Sequence, residues 1–148
     1  MKKLLLIVLL PLSARALNFE VVGPCSPQPI LQTTTTLRNT TLGNLTEFLL
    51  KKSGLPFEGD KFGIKSINHS PTGDQALEVL SNSTMRSYGW CVEVDGEQPG
   101  VMPDEVQIRE TTKKVKWFYA FSFYDSGKWT QYCTPSFSVK SQQICPGN

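Results

Sequence analysis

The sequence is poor in the residues that most catalytic and metal sites require. His69 is the single histidine in 148 residues, and none of the four cysteines forms a Cys-x-x-Cys pair. Closely spaced Cys and His ligands are the signature of a zinc site, so no metal site is indicated. His69 lies in the turn-forming sequence Asn68-His69-Ser70-Pro71, where we expect an exposed residue and not a catalytic base.

Long apolar runs are also missing. The longest, residues 4–12, is interrupted by Pro11 and falls far short of the roughly 20 residues that a membrane-spanning helix needs. It follows Lys2-Lys3 and precedes Ala14-Arg15-Ala16, a pattern typical of a secretory signal peptide. We predict cleavage after Ala16, which leaves residues 17–148 as one exported domain, periplasmic or extracellular, without a stable membrane anchor.

An excess of charge of one sign is missing too. The formal net charge is +2, but Lys2, Lys3 and Arg15 belong to the predicted signal peptide. Their removal takes the 15 basic residues to 12, against 13 acidic ones, for a net charge of −1. A nearly neutral domain lacks the electrostatic footprint of nucleic-acid binding, so no nucleic-acid partner is predicted.

Four cysteines in an exported chain predict two disulfides, with three possible connectivities. Cys25 and Cys145 lie near the two ends of the mature chain, whereas Cys91 and Cys133 lie inside or beside strand-like segments. We therefore expect Cys91 to pair with Cys133, and Cys25 with Cys145. This pairing leaves no thiol as a nucleophile, and we predict neither enzymatic activity nor a cofactor.

Two segments in the second half carry the strongest strand signals. Residues 88–96 alternate in polarity and end in Asp95-Gly96, a pair that favours a tight turn. Residues 115–124 carry aromatic side chains on both faces, which predicts a central strand covered on both sides. A turn at residues 125–127 should lead into another strand at residues 128–133.

The first half contains one convincing helix, about residues 41–52, which Thr41 can cap and Gly54 can end. Residues 76–80 favour a strand, although residues 72–75 mimic a helical capping box. Because most strands follow a single helix, the predicted fold class is α+β, with the helix on one face of an antiparallel or mixed sheet. Short strands are also predicted at residues 19–22, 30–37, 62–67 and 106–109.

Several of these segments together resemble a family of unknown function that is related to the C-terminal domain of transcobalamin. That family has a Trp-x-x-x-Val-Asn-Gly-like hairpin followed by a Trp-x-Tyr-like strand. Here Asp95 stands where Asn is commoner, and Trp117-Phe118-Tyr119 fits the second element. The resemblance implies a β-grasp-like fold, a sheet crossed by one main helix. It rests on residues 41–50, 62–68, 88–96 and 115–119.

The resemblance also implies a ligand class. In transcobalamins and intrinsic factor this domain covers one face of a corrinoid, while a separate helical domain covers the other. A lone module would bury only part of such a ligand, whereas small-ligand sites usually enclose most of the ligand surface. Cobalamin-type binding is therefore a distant alternative, and no binding residue is transferred from the family.

Aromatic side chains give the most usable functional clue. Most should pack in the core, since aromatic rings dominate small cores. Those beside the turn at residues 125–127 can instead form an exposed recognition surface. We predict a ligand-binding surface made by Trp90, Tyr124, Trp129 and Tyr132.

The predicted function is thus a non-catalytic binding module for a small molecule or an extracytoplasmic protein. The alternative is a structural or interaction component of an envelope or secreted complex. A small hydrolase is more distant, because paired carboxylates occur by chance in any domain. Its candidate carboxylates are Glu93, Asp95, Asp104 and Glu105.

Overall fold

A computed structural model describes residues 16–147 of the chain. Residues 1–15, most of the predicted signal peptide, lie outside this range. Within it, no helix has the length and hydrophobicity that crossing a membrane would take. The elements in chain order are β1 (Leu17–Val22), β2 (Pro29–Thr35), β3 (Thr40–Thr41), α1 (Leu42–Ser53), β4 (Phe57–Asp60), β5 (Gly63–Ile67), β6 (Ser70–Pro71), β7 (Leu77–Val79), β8 (Thr84–Val94), β9 (Gln107–Ile108), β10 (Lys114–Asp125) and β11 (Lys128–Pro135).

The main sheet is organised around β10. Its strand order is β2-β1-β10-β8-β7, and β8 pairs antiparallel with β10 along almost its whole length. On the other edge, β1 runs parallel to the first half of β10 and β11 runs antiparallel to the second half. The sheet is therefore mixed, and the α+β class is confirmed.

Both faces of β10 are buried, as its aromatic pattern predicts. On one face, Trp117 packs among the leucines of α1 and donates a 2.9 Å hydrogen bond from Nε1 to Oγ1 of Thr46. On the other face, Phe118 and Ala120 pack against Val22 and are covered by the chain that follows β11. Burial on two sides explains why β10 reads as a nearly continuous apolar run.

The helix begins and ends where its capping residues predict. Oγ1 of Thr41 accepts a hydrogen bond from the Asn44 N–H, and Gly54 ends the helix with a positive φ of 72°. The first turn lies directly on the β4–β5 turn, because a Cβ added to Gly43 would lie 1.8 Å from the Lys61 carbonyl oxygen. This close approach brings α1 and the β4–β5 hairpin together at one end of the sheet.

The structure contains both expected disulfides. Cys91–Cys133 ties β8 to β11, with 5.9 Å between the Cα atoms. Cys25–Cys145 ties the start of the described chain to its end, with 5.6 Å between the Cα atoms. The remainder after β11 is thereby held against the sheet.

Several boundaries differ from the sequence prediction. The strand β4 (Phe57–Asp60) was not predicted and forms a small three-stranded sheet with β5 and β6. Residues 73–76 form a short 3₁₀ helix. Thr72 precedes it but makes no capping hydrogen bond with its side chain, so the capping box that residues 72–75 mimic does not form. The strand preferred for residues 76–80 is confirmed as β7 (Leu77–Val79), which pairs with β8.

Candidate functional site

The predicted site residues do not form one surface. Trp90 lies opposite Tyr119 of β10, whereas Tyr124 lies opposite Trp129 of β11. Directly paired residues share a face, and faces alternate along each strand. Tyr119 and Tyr124 are an odd number of positions apart, so their side chains lie on opposite faces of the sheet. Trp90 therefore lies on the face that carries the helix. The rings of Tyr124, Trp129 and Tyr132 lie on the opposite face, about 17 Å further along the strand.

We call Tyr124, Trp129 and Tyr132 the aromatic hairpin. The rings of Tyr124 and Trp129 meet edge to face, with 5.3 Å between centroids. The hydroxyl of Tyr132 donates to the Trp129 carbonyl oxygen at 3.3 Å, yet the residue is 68% exposed and Trp129 is 42% exposed. The result is an open aromatic platform beside the Ser126-Gly127 turn.

Trp90 instead lines an apolar cleft of about 290 Å³, which we call the β8 cleft. Its walls come from the start of β5, from β8 and from the loop that follows β8. Trp117 closes the inner end. Most of the lining is hydrophobic: Phe62, Ile64, Trp90, Val92, Pro99, Val101, Met102, Pro103 and Trp117.

The outer edge of β8 forms one side of this cleft. Three consecutive residues, Trp90, Cys91 and Val92, line it. Side chains alternate between faces along a strand, so consecutive residues meet one cavity only where the strand presents its edge. Backbone groups as well as side chains therefore border the β8 cleft.

Hydrogen bonds fix the two tryptophans of the cleft. Nε1 of Trp90 donates to the Ser70 carbonyl oxygen at 2.9 Å, and its ring meets the Tyr119 ring edge to face at 5.2 Å. Trp117 is held from α1 through Thr46. Both indole N–H groups are satisfied, so the half-buried Trp90 can present its ring as apolar area, while the buried Trp117 supports the inner end.

The loop that forms the outer wall is anchored at both ends. It begins with a tight turn in which Asp95 and Gly96 have positive φ angles of 53° and 87°. Oδ1 of Asp95 accepts hydrogen bonds from the Lys113 and Lys114 N–H groups at 2.9 and 2.8 Å. At the far end, the Gly43 N–H donates to the Pro103 carbonyl oxygen at 2.9 Å. The tip of the wall, with Val101 and Met102, lies between these anchors.

The segment that carries this wall is acidic, and we call residues 93–105 the acidic loop. The segment contains five carboxylates and neither lysine nor arginine. Glu93 faces Lys116 at 3.7 Å and Asp95 caps backbone groups, so two of the carboxylates proposed for a hydrolase already have structural partners. The other two, Asp104 and Glu105, follow Pro103 in the chain and do not line the β8 cleft.

His69 lies outside this cleft. It is exposed in the turn after β5, with a positive φ of 63°, and lines a polar cavity of about 600 Å³ together with Glu58, Lys65 and Asp74. Among residues 16–147, no group of three or more His, Cys, Asp or Glu side chains could hold a metal ion. The prediction that His69 is an exposed turn residue is confirmed.

Of the groups whose pKa is shifted, Tyr119 lies in β10, whereas Glu78 and Tyr88 form a cluster where β8 lies next to β7. Burial raises the pKa of Glu78, but hydrogen bonds from Ser141, Tyr88 and Arg86, with the charge of Arg86, outweigh burial and lower the pKa overall. The pKa of Tyr88 is raised, mainly by burial and to a smaller extent by its hydrogen bond to Glu78. Because Ser141 donates to Glu78 at 2.5 Å, this cluster fastens the C-terminal segment to β7 and β8. Its role is structural.

Comparisons with known proteins leave the family open. No family model matches the chain, and no curated protein matches it. One solved structure with a distant likeness is a candidate metal binding protein from Ruminococcus gnavus ATCC 29149, with 15% sequence identity and a TM-score of 0.44. The match covers 71% of this chain and 95% of that one. A likeness this distant assigns neither family nor ligand.

Proposed function

We propose that this protein is a non-catalytic binding module whose ligand occupies the β8 cleft. One observation supports this most strongly: Phe62, Val101 and Met102 at the mouth of the cleft remain 50%, 54% and 55% exposed. Clustered exposed apolar side chains beside a concave surface are characteristic of binding sites. The rigid anchoring of both walls adds preorganisation, which lowers the cost of binding.

Binding, and not catalysis, fits the chemistry of the site. All four cysteines are paired in disulfides, so no thiolate is available as a nucleophile. Glu93 and Asp95 have structural partners, and His69 lies outside the β8 cleft. The cleft offers apolar area, the fixed indole of Trp90 and a strand edge, which together can hold a ligand.

The location and family form part of the same proposal. Two disulfides support an exported protein, periplasmic or extracellular, because such bonds persist in oxidising compartments. The helix across one face of a mixed sheet supports a β-grasp-like fold and the relation to the transcobalamin C-terminal domain. A corrinoid fits poorly as ligand, since the β8 cleft is at the lower limit of cavities that enclose drug-sized molecules.

The aromatic hairpin supports a second candidate function. Its exposed rings at Trp129 and Tyr132 are the residue types that dominate protein interfaces. On this alternative the protein is a structural or interaction component of an envelope or secreted complex, and the hairpin is its contact surface.

The neutral dye Nile red, whose fluorescence rises on apolar binding, separates the two candidates. The variant V101S/M102S should lose most of the fluorescence gain, because it removes apolar area from the mouth of the β8 cleft. The matched variant W129S/Y132S should retain the gain, with circular dichroism as the control for folding. The reverse pattern would assign binding to the aromatic hairpin and contradict the proposal.

A further inference from the structure

The outer edge of β8 is longer than the strand that covers it. β7 pairs only with Met85, Arg86 and Ser87, whereas β8 continues to Val94. Beyond Ser87, no strand of residues 16–147 pairs with this edge. The uncovered part runs along the β8 cleft.

Hydrogen bonds at both ends of β8 establish which backbone groups face outward. The Leu80 N–H donates to the Thr84 carbonyl oxygen at 3.0 Å, so Thr84 points away from β10. At the other end, Val94 and Glu97 exchange two hydrogen bonds, of 2.9 and 3.1 Å, on the same side. Outward and inward residues alternate in an antiparallel ladder, so the N–H and C=O groups of Trp90 and Val92 also point outward.

These groups form an open template beside the cleft. In the described part of the chain, the backbone N–H and C=O groups of Trp90 and Val92 have no hydrogen-bond partner. The template has a boundary at each end. At one end lies Thr72, whose Cγ2 would be 3.3 Å from a Cβ added to Gly89. At the other end lies the Val94–Glu97 turn. Unpaired strand edges readily accept an additional strand.

We propose that the ligand of the β8 cleft is an extended peptide segment of another protein, which adds to β8 as an edge strand. This inference rests on the proposed function and names its ligand class. Main-chain bonds to Trp90 and Val92 would provide affinity, and alternate side chains would provide specificity. One apolar side chain of the peptide would then enter the cleft between Phe62 and Met102.

Charge complementarity identifies the flanks of this peptide. The loop residues that line the cleft lie between Glu97 and Asp104 in the chain, and neither of these carboxylates forms a salt bridge within the described residues. A lysine or arginine next to the apolar peptide side chain that enters the cleft would therefore speed association and strengthen binding at low salt. A second copy of this chain brings the same acidic loop and lacks this complementarity.

The test uses a fluorescein-labelled peptide, Lys-Thr-Val-Thr-Leu-Thr-Lys with blocked ends, and fluorescence anisotropy. Two analogues carry N-methyl groups on alternate residues, one analogue for each edge of the peptide. We expect one analogue to bind at least tenfold more weakly and the other to bind nearly as well, because only one edge pairs with β8. Replacing both terminal lysines with glutamate should weaken binding at low salt.

Three results would overturn the inference. Equal binding of both methylated analogues would show that side chains alone are recognised. No binding of the peptide, with Nile red still bound at the β8 cleft, would contradict the peptide ligand while the proposed function stands. A concentration-dependent dimer that the peptide dissociates would show that a second copy of this chain occupies the edge.

Discussion

Trp90 donates its indole N–H to the carbonyl oxygen of Ser70 at 2.9 Å, across 20 positions of sequence. This bond joins the exposed edge of the main sheet to the small sheet of β4, β5 and β6. It also fixes the orientation of the ring that lines the β8 cleft. A single side chain thus contributes both to the packing of two sheets and to the surface proposed to bind.

The first prediction concerns this bond. Trp90→Phe keeps an aromatic ring but leaves the half-buried Ser70 carbonyl without its donor, so it should lower the free energy of unfolding by about 1 to 2 kcal/mol. Urea denaturation measures the change. Trp129→Phe is the matched control on an exposed ring and should stay within about 0.5 kcal/mol. Equal losses in both variants would contradict the structural role of the Trp90 bond.

The second prediction concerns acid. The pKa of Glu78 in the folded protein lies below its ordinary value of 4.5. The ionised carboxylate therefore stabilises the fold fully above pH 4.5, and this stabilisation is lost as the pH falls through the lowered pKa. Glu78→Gln should lose about 2 kcal/mol at neutral pH and flatten the decline of stability in acid. Denaturant titrations between pH 2 and 7 measure this, with the exposed Glu58→Gln as control. An unchanged acid decline in Glu78→Gln would contradict the assignment.

The third prediction concerns alkali. Burial raises the pKa of Tyr119 and of Tyr88 above the ordinary tyrosine value of 10. A tyrosine whose pKa is raised in the folded state stabilises the fold fully below pH 10, where it is protonated. This stabilisation is lost as the pH rises toward the pKa of the folded state. Melting temperatures should therefore fall steeply above pH 10, and less steeply in Tyr119→Phe. Tyr132→Phe, on an exposed ring, should melt like the wild type.

The fourth prediction concerns the disulfides. The bridges close sequence separations of 42 residues for Cys91–Cys133 and 120 residues for Cys25–Cys145. In the chain-entropy model, losing the first costs about 4 kcal/mol and losing the second about 5 kcal/mol. Urea denaturation of C91A/C133A and C25A/C145A compares them. A much smaller loss for the longer loop would show that the terminal segment contributes little to the cooperative fold.

The sequence was informative where local signals agree with one another. Strand β10 and helix α1 could be predicted because their apolar patterns, caps and turns all favour the same element. The cysteine pairing followed from where the four residues lie along the chain. β4 was missed because Glu58, Gly59 and Asp60 have low strand propensity, so pairing with β5 determines their conformation.

The site was harder to predict because it depends on strand register. Trp90 was selected as a site residue but grouped with Trp129, which faces the other side of the sheet. Local patterns do not fix the offset between β8 and β10, and a shift of one residue exchanges the faces. The β8 cleft also joins residues 62–64, 90–92 and 98–103, which only the folded chain brings together.

Amide hydrogen exchange read by NMR tests the central claim most directly, that β8 presents an open edge which a peptide ligand covers. In the free protein, the Trp90 and Val92 amides should exchange quickly, while the Cys91 amide, which faces β10, should be protected. Adding the Lys-Thr-Val-Thr-Leu-Thr-Lys peptide should slow exchange at Trp90 and Val92 at least tenfold. Protection of both amides in the free protein, or no change when the peptide saturates the cleft, would contradict the account.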